Sequence, residues 1–311
     1  MMNTLYSPFN YEAFESFFRG PLNEIKQRLS VYLPLANLLP IESSAYALDL
    51  GCGRGEWLEL LNENRIPALG IDYNPKFVEH CRTNGLTVEE ADLFSFVDRE
   101  HEICYSLITG FHLIEHIPPE RHTSFFEAVF DMLAPGGIFI LETPNPENVT
   151  VGSCNFFIDP THLRPVPPHL LQFLAIQTGF ASPLIARVNR NTVGEPLSMM
   201  AGEAPEAALY NRLADIISSR LLQAPDYALI AFKPPAPSLA MLEAVSAINR
   251  LNDSYLLPPA AAKLPEPSLN TIDKTADDKV HPIPLNEYTE MVNRTYLQLL
   301  ASRVITKNKT S

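Results

Sequence analysis

The segment Ala47-Leu48-Asp49-Leu50-Gly51-Cys52-Gly53-Arg54-Gly55-Glu56-Trp57 constrains the fold more than any other stretch of this chain. An apolar run, Ala45–Leu50, ends in three alternating glycines, and a helix-forming stretch, Glu56–Asn64, follows at once. Glycine adopts backbone conformations closed to other residues and lets a ligand approach the main chain. A strand, a binding turn and a helix are therefore expected. The dinucleotide fingerprint G-x-G-x-x-G/A uses its third small residue to pack helix on strand. Here Glu56 holds that place, and the small residue comes one position earlier, at Gly55. The pattern disfavours a pyrophosphate, and with it a nicotinamide-dependent reductase. It favours a nucleoside carrying an amino acid.

The alternation continues downstream. Ala68–Asp72, Thr87–Asp92, Ile103–Thr109 and Gly137–Glu142 read as strands, with helices at Pro75–Asn84 and Pro119–Leu133. A helix at His169–Thr178, a strand at Leu184–Val188, a helix at Glu206–Leu222 and a strand at Tyr227–Phe232 complete the pattern. Strands separated by helices imply a parallel sheet covered on both faces. Residues 10–39 read as helical, broken at Gly20-Pro21. Residues 144–167 hold five prolines and read as a long loop, the kind of connection that often carries function.

Asp49, Asp72 and Asp92 stand at the ends of the first three strands and form a cofactor constellation with Gly51, Gly53 and Gly55. A carboxylate at the second strand end accepts from ribose hydroxyls. Asp92 is placed to accept from an adenine amino group, with Leu93 flanking the ring.

Composition bounds the partners. The chain has 311 residues, 46% of them apolar, and a net charge of −13. So acidic a chain offers no electrostatic footprint for a phosphate backbone, and nucleic acid is not an expected partner. No run approaches the ~18 apolar residues of a membrane span, and no secretion signal is visible, so a cytoplasmic protein is expected. Four cysteines show neither CxxC spacing nor a dense framework, and read as reduced thiols.

Residues 45–142 resemble the class I S-adenosylmethionine-dependent methyltransferases. The resemblance implies S-adenosyl-L-methionine as cofactor, with the glycine motif on Gly51, Gly53 and Gly55, the ribose acid on Asp72 and the adenine acid on Asp92. It places Gly110-Phe111-His112 near the methionine part, with Phe111 a cofactor-binding candidate. It also implies a Rossmann-like α/β fold, a seven-stranded sheet with helices on both faces and a final antiparallel hairpin. Three further segments, 14–34, 111–120 and 142–174, resemble methyltransferases of bacterial surface-polysaccharide clusters, including the chain-terminating domains of O-antigen synthesis. That likeness implies a saccharide or lipid-linked saccharide acceptor. No Gly-rich kinase loop or long heptad array accompanies it here.

Methyl transfer is an in-line displacement at a sulfonium carbon, so the enzyme mainly orients. A hydroxyl acceptor also needs its proton removed, and His116 and His162 are the catalytic candidates. Asn145 and Asn148, just beyond the fifth strand, and Asp159, in the turn of the long loop, are candidates for binding the acceptor. Arg19 is a candidate partner of the cofactor carboxylate, since a guanidinium matches it bidentately. Arg54 and Trp57 read as an ion pair near the pocket and a packing residue. A metal is the competing use of His112, Glu115, His116, Cys154 and His162. Pro118 interrupts a regular helix there and no HExxH pattern appears, so no metal is expected.

The expected organisation is an N-terminal helical cap (1–40), a methyltransferase domain (41–233) and a Pro-rich linker with helical tail (234–311). The tail has apolar stripes at Leu239, Leu242, Val245 and Ile248, and at Met291, Tyr296 and Leu299. Their readings are packing on the domain, recruitment of a glycosyltransferase, or attachment at the inner face of the membrane. A small-metabolite methyltransferase and a non-catalytic cofactor-binding scaffold are the alternative functions.

Overall fold

The computed structural model describes Phe14, Phe17, Phe18 and residues 20–39, 46–101, 104–190, 197–202, 205–220, 223–252 and 256–257. Arg19 and the tail stripe at Met291, Tyr296 and Leu299 lie outside the described residues, as does most of the stretch through which a glycosyltransferase was expected to dock.

The chain enters through α1 (Leu22–Leu29), a 3-10 turn (Ser30–Tyr32) and α2 (Leu33–Ala36). The alternating part then runs β1 (Tyr46–Leu50), α3 (Glu56–Glu63), β2 (Ala68–Asp72), α4 (Pro75–Thr83), β3 (Val88–Glu90), α5 (Leu93–Val97), β4 (Tyr105–Phe111), α6 (His122–Met132) and β5 (Leu133–Pro144). After a short helix α7 (Val149–Ser153) come α8 (Pro168–Thr178), β6 (Ala181–Val188), α9 (Pro205–Arg220), β7 (Asp226–Phe232) and α10 (Leu239–Asn252). A two-residue parallel ladder joins Leu197–Ser198 to Leu256–Leu257.

The main sheet has seven strands in the order β3-β2-β1-β4-β5-β7-β6. The first five pair in parallel, and β7 runs antiparallel to both β5 and β6. This is the expected α/β sheet with its terminal hairpin. Sequence order reverses between β1 and β4, and in open α/β sheets ligands bind at such a switch point, outside the carboxyl ends of the strands.

Strand alternation divides the core. Leu48, Leu50, Ile108, Phe139, Leu141, Leu229 and Ala231 face one side, where Phe125, Phe126 and Val129 of α6 and Leu171 and Ala175 of α8 cover them. Ala47, Leu107, Ile138, Ile140, Ala228 and Ile230 face the other, against Ile25 and Leu29 of α1, Trp57 and Leu61 of α3, and Val245 and Ile248 of α10. Part of the stripe at 239–248 therefore packs on the sheet. Asn249 of α10 also reaches the outer strand: its Oδ1 accepts from the Arg187 N–H (3.2 Å) and its Nδ2 donates to the Ile185 carbonyl (3.3 Å).

Several local expectations shift. β3 stops at Glu90, and Asp92 becomes the N-cap of α5, accepting from Ser95 N–H at 3.0 Å. The helix expected from Pro119 begins with a 3-10 turn, Pro119–Arg121, before α6. The proline-rich loop holds α7 and a 3-10 turn, Asn155–Ile158. Among the described residues no helix is long and apolar enough to cross a membrane.

Candidate active site

The glycine turn leaves β1 with Gly51, Gly53 and Gly55 all at positive φ. Gly55, at φ +86°, precedes α3, and a Cβ there would stand 2.7 Å from Leu86 Cδ1 and 2.8 Å from Cys81 Sγ. The early small residue thus lets the turn pack against α4. Its backbone also fixes a carboxylate: Gly53 N–H donates to Asp72 Oδ2 (2.9 Å), and Asn74 N–H donates to Oδ1 (2.8 Å). Asp72 is held at the end of β2, beside the turn. Arg54 grips Glu56 (Nη2 to Oε1, 2.7 Å) and reaches the Gly20 carbonyl (3.2 Å), tying the turn to the segment that precedes α1.

The other cofactor candidates separate. Asp92 is exposed, and both its bonds to Ser95 land on Oδ1. Leu93, half-buried, packs against the α6 side of the core. Asp49 lies inside the sheet and accepts from Thr109 Oγ1 at 2.7 Å, bracing β1 against β4. The Phe111 ring is buried, 5.6 Å from the rings of both Tyr32 and Trp57. Trp57 is fully buried among the residues that pack α1 and α3 on the sheet.

Beyond β4 the chain turns through a 3-10 segment, Ile114–His116, and gathers polar groups. Glu115 is fully buried, and its Oε2 accepts from Thr143 Oγ1 (2.9 Å). The Glu115 carbonyl accepts from Leu163 N–H (2.9 Å), which draws the long loop over the end of β4. His116 and His162 meet edge to face with ring centroids 4.7 Å apart. His116 Nδ1 lies 3.0 Å from Thr161 Oγ1, which lies 2.6 Å from Asp159 Oδ1. His162 Nδ1 lies 2.7 Å from the Phe156 carbonyl. Asp159 also takes the Thr161 N–H (2.8 Å), so it organises the turn that carries His162.

Asn145 and Asn148 are buried and committed to the chain. Asn145 Nδ2 donates to the Ala224 carbonyl (2.9 Å). Asn148 caps α7 through the Thr150 and Val151 N–H groups while donating to the Gln223 carbonyl (2.6 Å). Their amides tie the start of the long loop to the 223–224 backbone.

Two carboxylates not singled out from the sequence, Glu142 and Asp226, join His112 and Glu115. His112, at φ +53°, places Nδ1 3.3 Å from Glu115 Oε1 and Nε2 3.6 Å from Glu142 Oε1 and 3.9 Å from Asp226 Oδ1. Burial works against its charge, but bonds to Glu115 and Glu142 and the charge of Asp226 hold its pKa well above the ordinary value. Burial likewise pushes Glu115 up, and His112 more than reverses this, leaving it below the usual carboxylate range. Burial lowers His162, helped by His116, so that ring is neutral near pH 7. The only legible signal for this group was the His112–Glu115 spacing, because Glu142, Asp226 and Tyr32 arrive from other elements.

A cavity of about 370 Å³ opens at the opposite end of the strands, lined by Leu58, Ile66, Leu86 and Tyr105 among others. It has no carboxylate or imidazole and lies away from this chemistry.

A family model described as a methyltransferase domain matches residues 22–181. A probable S-adenosylmethionine-dependent methyltransferase of Mycolicibacterium smegmatis is 26% identical over 135 residues, 43% of this chain and 51% of that protein. The ubiquinone biosynthesis O-methyltransferase of Methylococcus capsulatus is 31% identical over 104 residues, 32% of this chain and 43% of that protein. The chain thus spans about half the length of the curated relatives it matches. The crystal structure of a SAM-dependent methyltransferase from Archaeoglobus fulgidus aligns with a TM-score of 0.63 at 28% identity, covering 72% of this chain and 99% of that one.

Proposed function

The chain belongs to the methyltransferase-domain family, and from that premise we propose that it transfers the sulfonium methyl of S-adenosylmethionine to an oxygen of a saccharide or lipid-linked saccharide acceptor. The observation that carries this reading is the placement of two imidazoles, His116 and His162, 4.7 Å apart beside buried Glu115, on the same carboxyl end of the sheet as the glycine turn.

The cofactor's ribose hydroxyls donate to Asp72, whose two oxygens are already aimed by backbone N–H groups. The adenine amino group donates to Asp92, whose bonds within the chain use one oxygen. The acceptor enters over the 144–167 loop and is activated at the Glu115, His116 and His162 cluster. Its oxygen forms a bond to the methyl carbon while the carbon–sulfur pair stays on sulfur, and the hydroxyl proton passes to an imidazole of the cluster or on to solvent. Holding oxygen and methyl about 3–3.5 Å apart supplies roughly 7–11 kcal/mol. Phe157 and Leu163, 62% and 53% exposed, give the loop an apolar surface suited to the C–H face of a sugar ring.

A small metabolite is the competing acceptor, because the Methylococcus capsulatus relative is named a ubiquinone biosynthesis O-methyltransferase. Calorimetry with S-adenosylmethionine and with NAD tests the cofactor: the first is expected to bind and the second not. Transfer of labelled methyl to oligosaccharide extract, in parallel with a catechol, tests the acceptor. Label in the catechol alone would overturn the saccharide reading, and label in neither would favour a non-catalytic scaffold.

A further inference from the structure

Glu115 Oε1 is buried and has no hydrogen-bond partner among the described residues. A buried carboxylate oxygen without a well-formed hydrogen bond has desolvation cost left to offset. Its close neighbours are the ion-pair partner His112, Nδ1 at 3.3 Å, and the neutral His162 ring, Nε2 at 3.9 Å.

The two facing imidazoles are fixed in tautomers that cannot donate to it. The Phe156 carbonyl only accepts, so His162 Nδ1 carries the hydrogen and Nε2 the lone pair. Thr161 gives its one hydroxyl hydrogen to the Asp159 carboxylate, and so accepts from His116 Nδ1. The remaining His116 nitrogen, Nε2, then also carries a lone pair. One ligand atom from each of Glu115, His116 and His162 lies within 4.8 Å of the other two. Two imidazoles and a buried carboxylate at that spacing are the arrangement a cation fills.

We propose that Glu115, His116 and His162 bind a divalent transition-metal ion of the zinc class. Two imidazoles and a carboxylate suit zinc, with coordination positions left open, whereas calcium and magnesium prefer all-oxygen sets. The supporting contacts agree, because ligating histidines characteristically donate their other N–H to a carbonyl, a carboxylate or a water. His162 does so directly to the Phe156 carbonyl, and His116 does so through Thr161 to Asp159.

The role of the ion, though not its binding, rests on the methyltransferase reading. Half-buried His116 leaves the ion open toward the acceptor. A coordinated hydroxyl is acidified much as metal-bound water is. Its proton passes to solvent, its oxygen takes the methyl, and the sulfur keeps the bonding pair. With the ion in place the imidazoles hold the metal, and no side chain is needed as base.

The test uses the untagged, chelator-treated 311-residue chain without cofactor or acceptor. Zinc is titrated by calorimetry, and cobalt(II) by its visible ligand-field absorption. One ion per chain is expected, with magnesium failing to compete. His162→Gln and Glu115→Gln should weaken uptake strongly. Thr161→Val, which removes only the supporting contact, should weaken it about 10–100-fold. No saturable uptake, or uptake unchanged in all three variants, overturns the proposal. S-adenosylmethionine binding to the same samples separates the two ideas. Cofactor binding without ion uptake sinks only the metal site, and ion uptake without cofactor binding sinks only the methyltransferase reading.

Discussion

The Tyr32 hydroxyl donates to Glu142 Oε2, joining residues 110 positions apart. Through this bond the helices that precede the sheet reach the carboxylate that faces His112 and accepts from Asn189 Nδ2 at 3.2 Å. Tyr32→Phe would leave a buried carboxylate oxygen without its donor. The expected loss of stability is about 1–3 kcal/mol, read from urea denaturation. An unchanged midpoint would show that the bond adds nothing net.

Asp72 is aimed by two backbone donors, so its replacement should cost binding more than fold. For Asp72→Asn the loss of charge-assisted bonds, about 1.5–3 kcal/mol, corresponds to roughly 10–150-fold weaker S-adenosylmethionine binding. Calorimetry checks this, and wild-type affinity would remove Asp72 from the ribose site.

Gly55→Ala should destabilise the chain by about 2–5 kcal/mol. The left-handed backbone contributes about 1–2 of this, and the new methyl group, forced against Leu86 and Cys81, about 1–3. Thermal melting of the variant measures it. A shift no larger than that of an exposed substitution would contradict the packing described for the turn.

His116→Gln or His162→Gln, whichever removes the group that activates the acceptor, should lower turnover by about 10²–10⁴-fold. The cofactor's dissociation constant should stay near that of the wild type. Near-normal turnover in both variants would remove the cluster from the reaction.

Burial raises the Asp226 carboxyl to about 6, with Glu142 adding to the effect against the opposing pull of His112. A carboxyl with a raised folded-state pKa holds its proton more tightly when folded. Its contribution to stability is full below the ordinary value of 3.8 and is lost as pH rises through about 6. Relative to Asp226→Asn, the wild type should therefore lose stability across that window. Parallel stability curves for the two proteins would refute the assignment.

The sheet was legible because its signals are local. Apolar runs, glycines and prolines mark each strand and turn, and the Asp72 position follows from the end of β2. Phe111 shows where such reading stops. It shares strand parity with Leu107, so its ring goes to the α1 and α3 side of the sheet with Tyr32 and Trp57. Asn145 and Asn148 were rightly placed after β5, yet their amides are spent on the Gln223–Ala224 backbone, a partner no local pattern reveals. The cluster around His112 was hidden for the same reason. Glu142 comes from β5, Asp226 from β7 and Tyr32 from the turn after α1, and only the folded sheet makes them neighbours.

The amide of Asn249 answers one donor and one acceptor on the outermost strand, as a residue of a further strand would. A sheet border with unsatisfied backbone groups invites a second chain to add itself. A protein cut short at Lys233 would lose that stand-in and uncover the apolar side of β6 together with its rim. Self-association of the shortened protein is the consequence to look for.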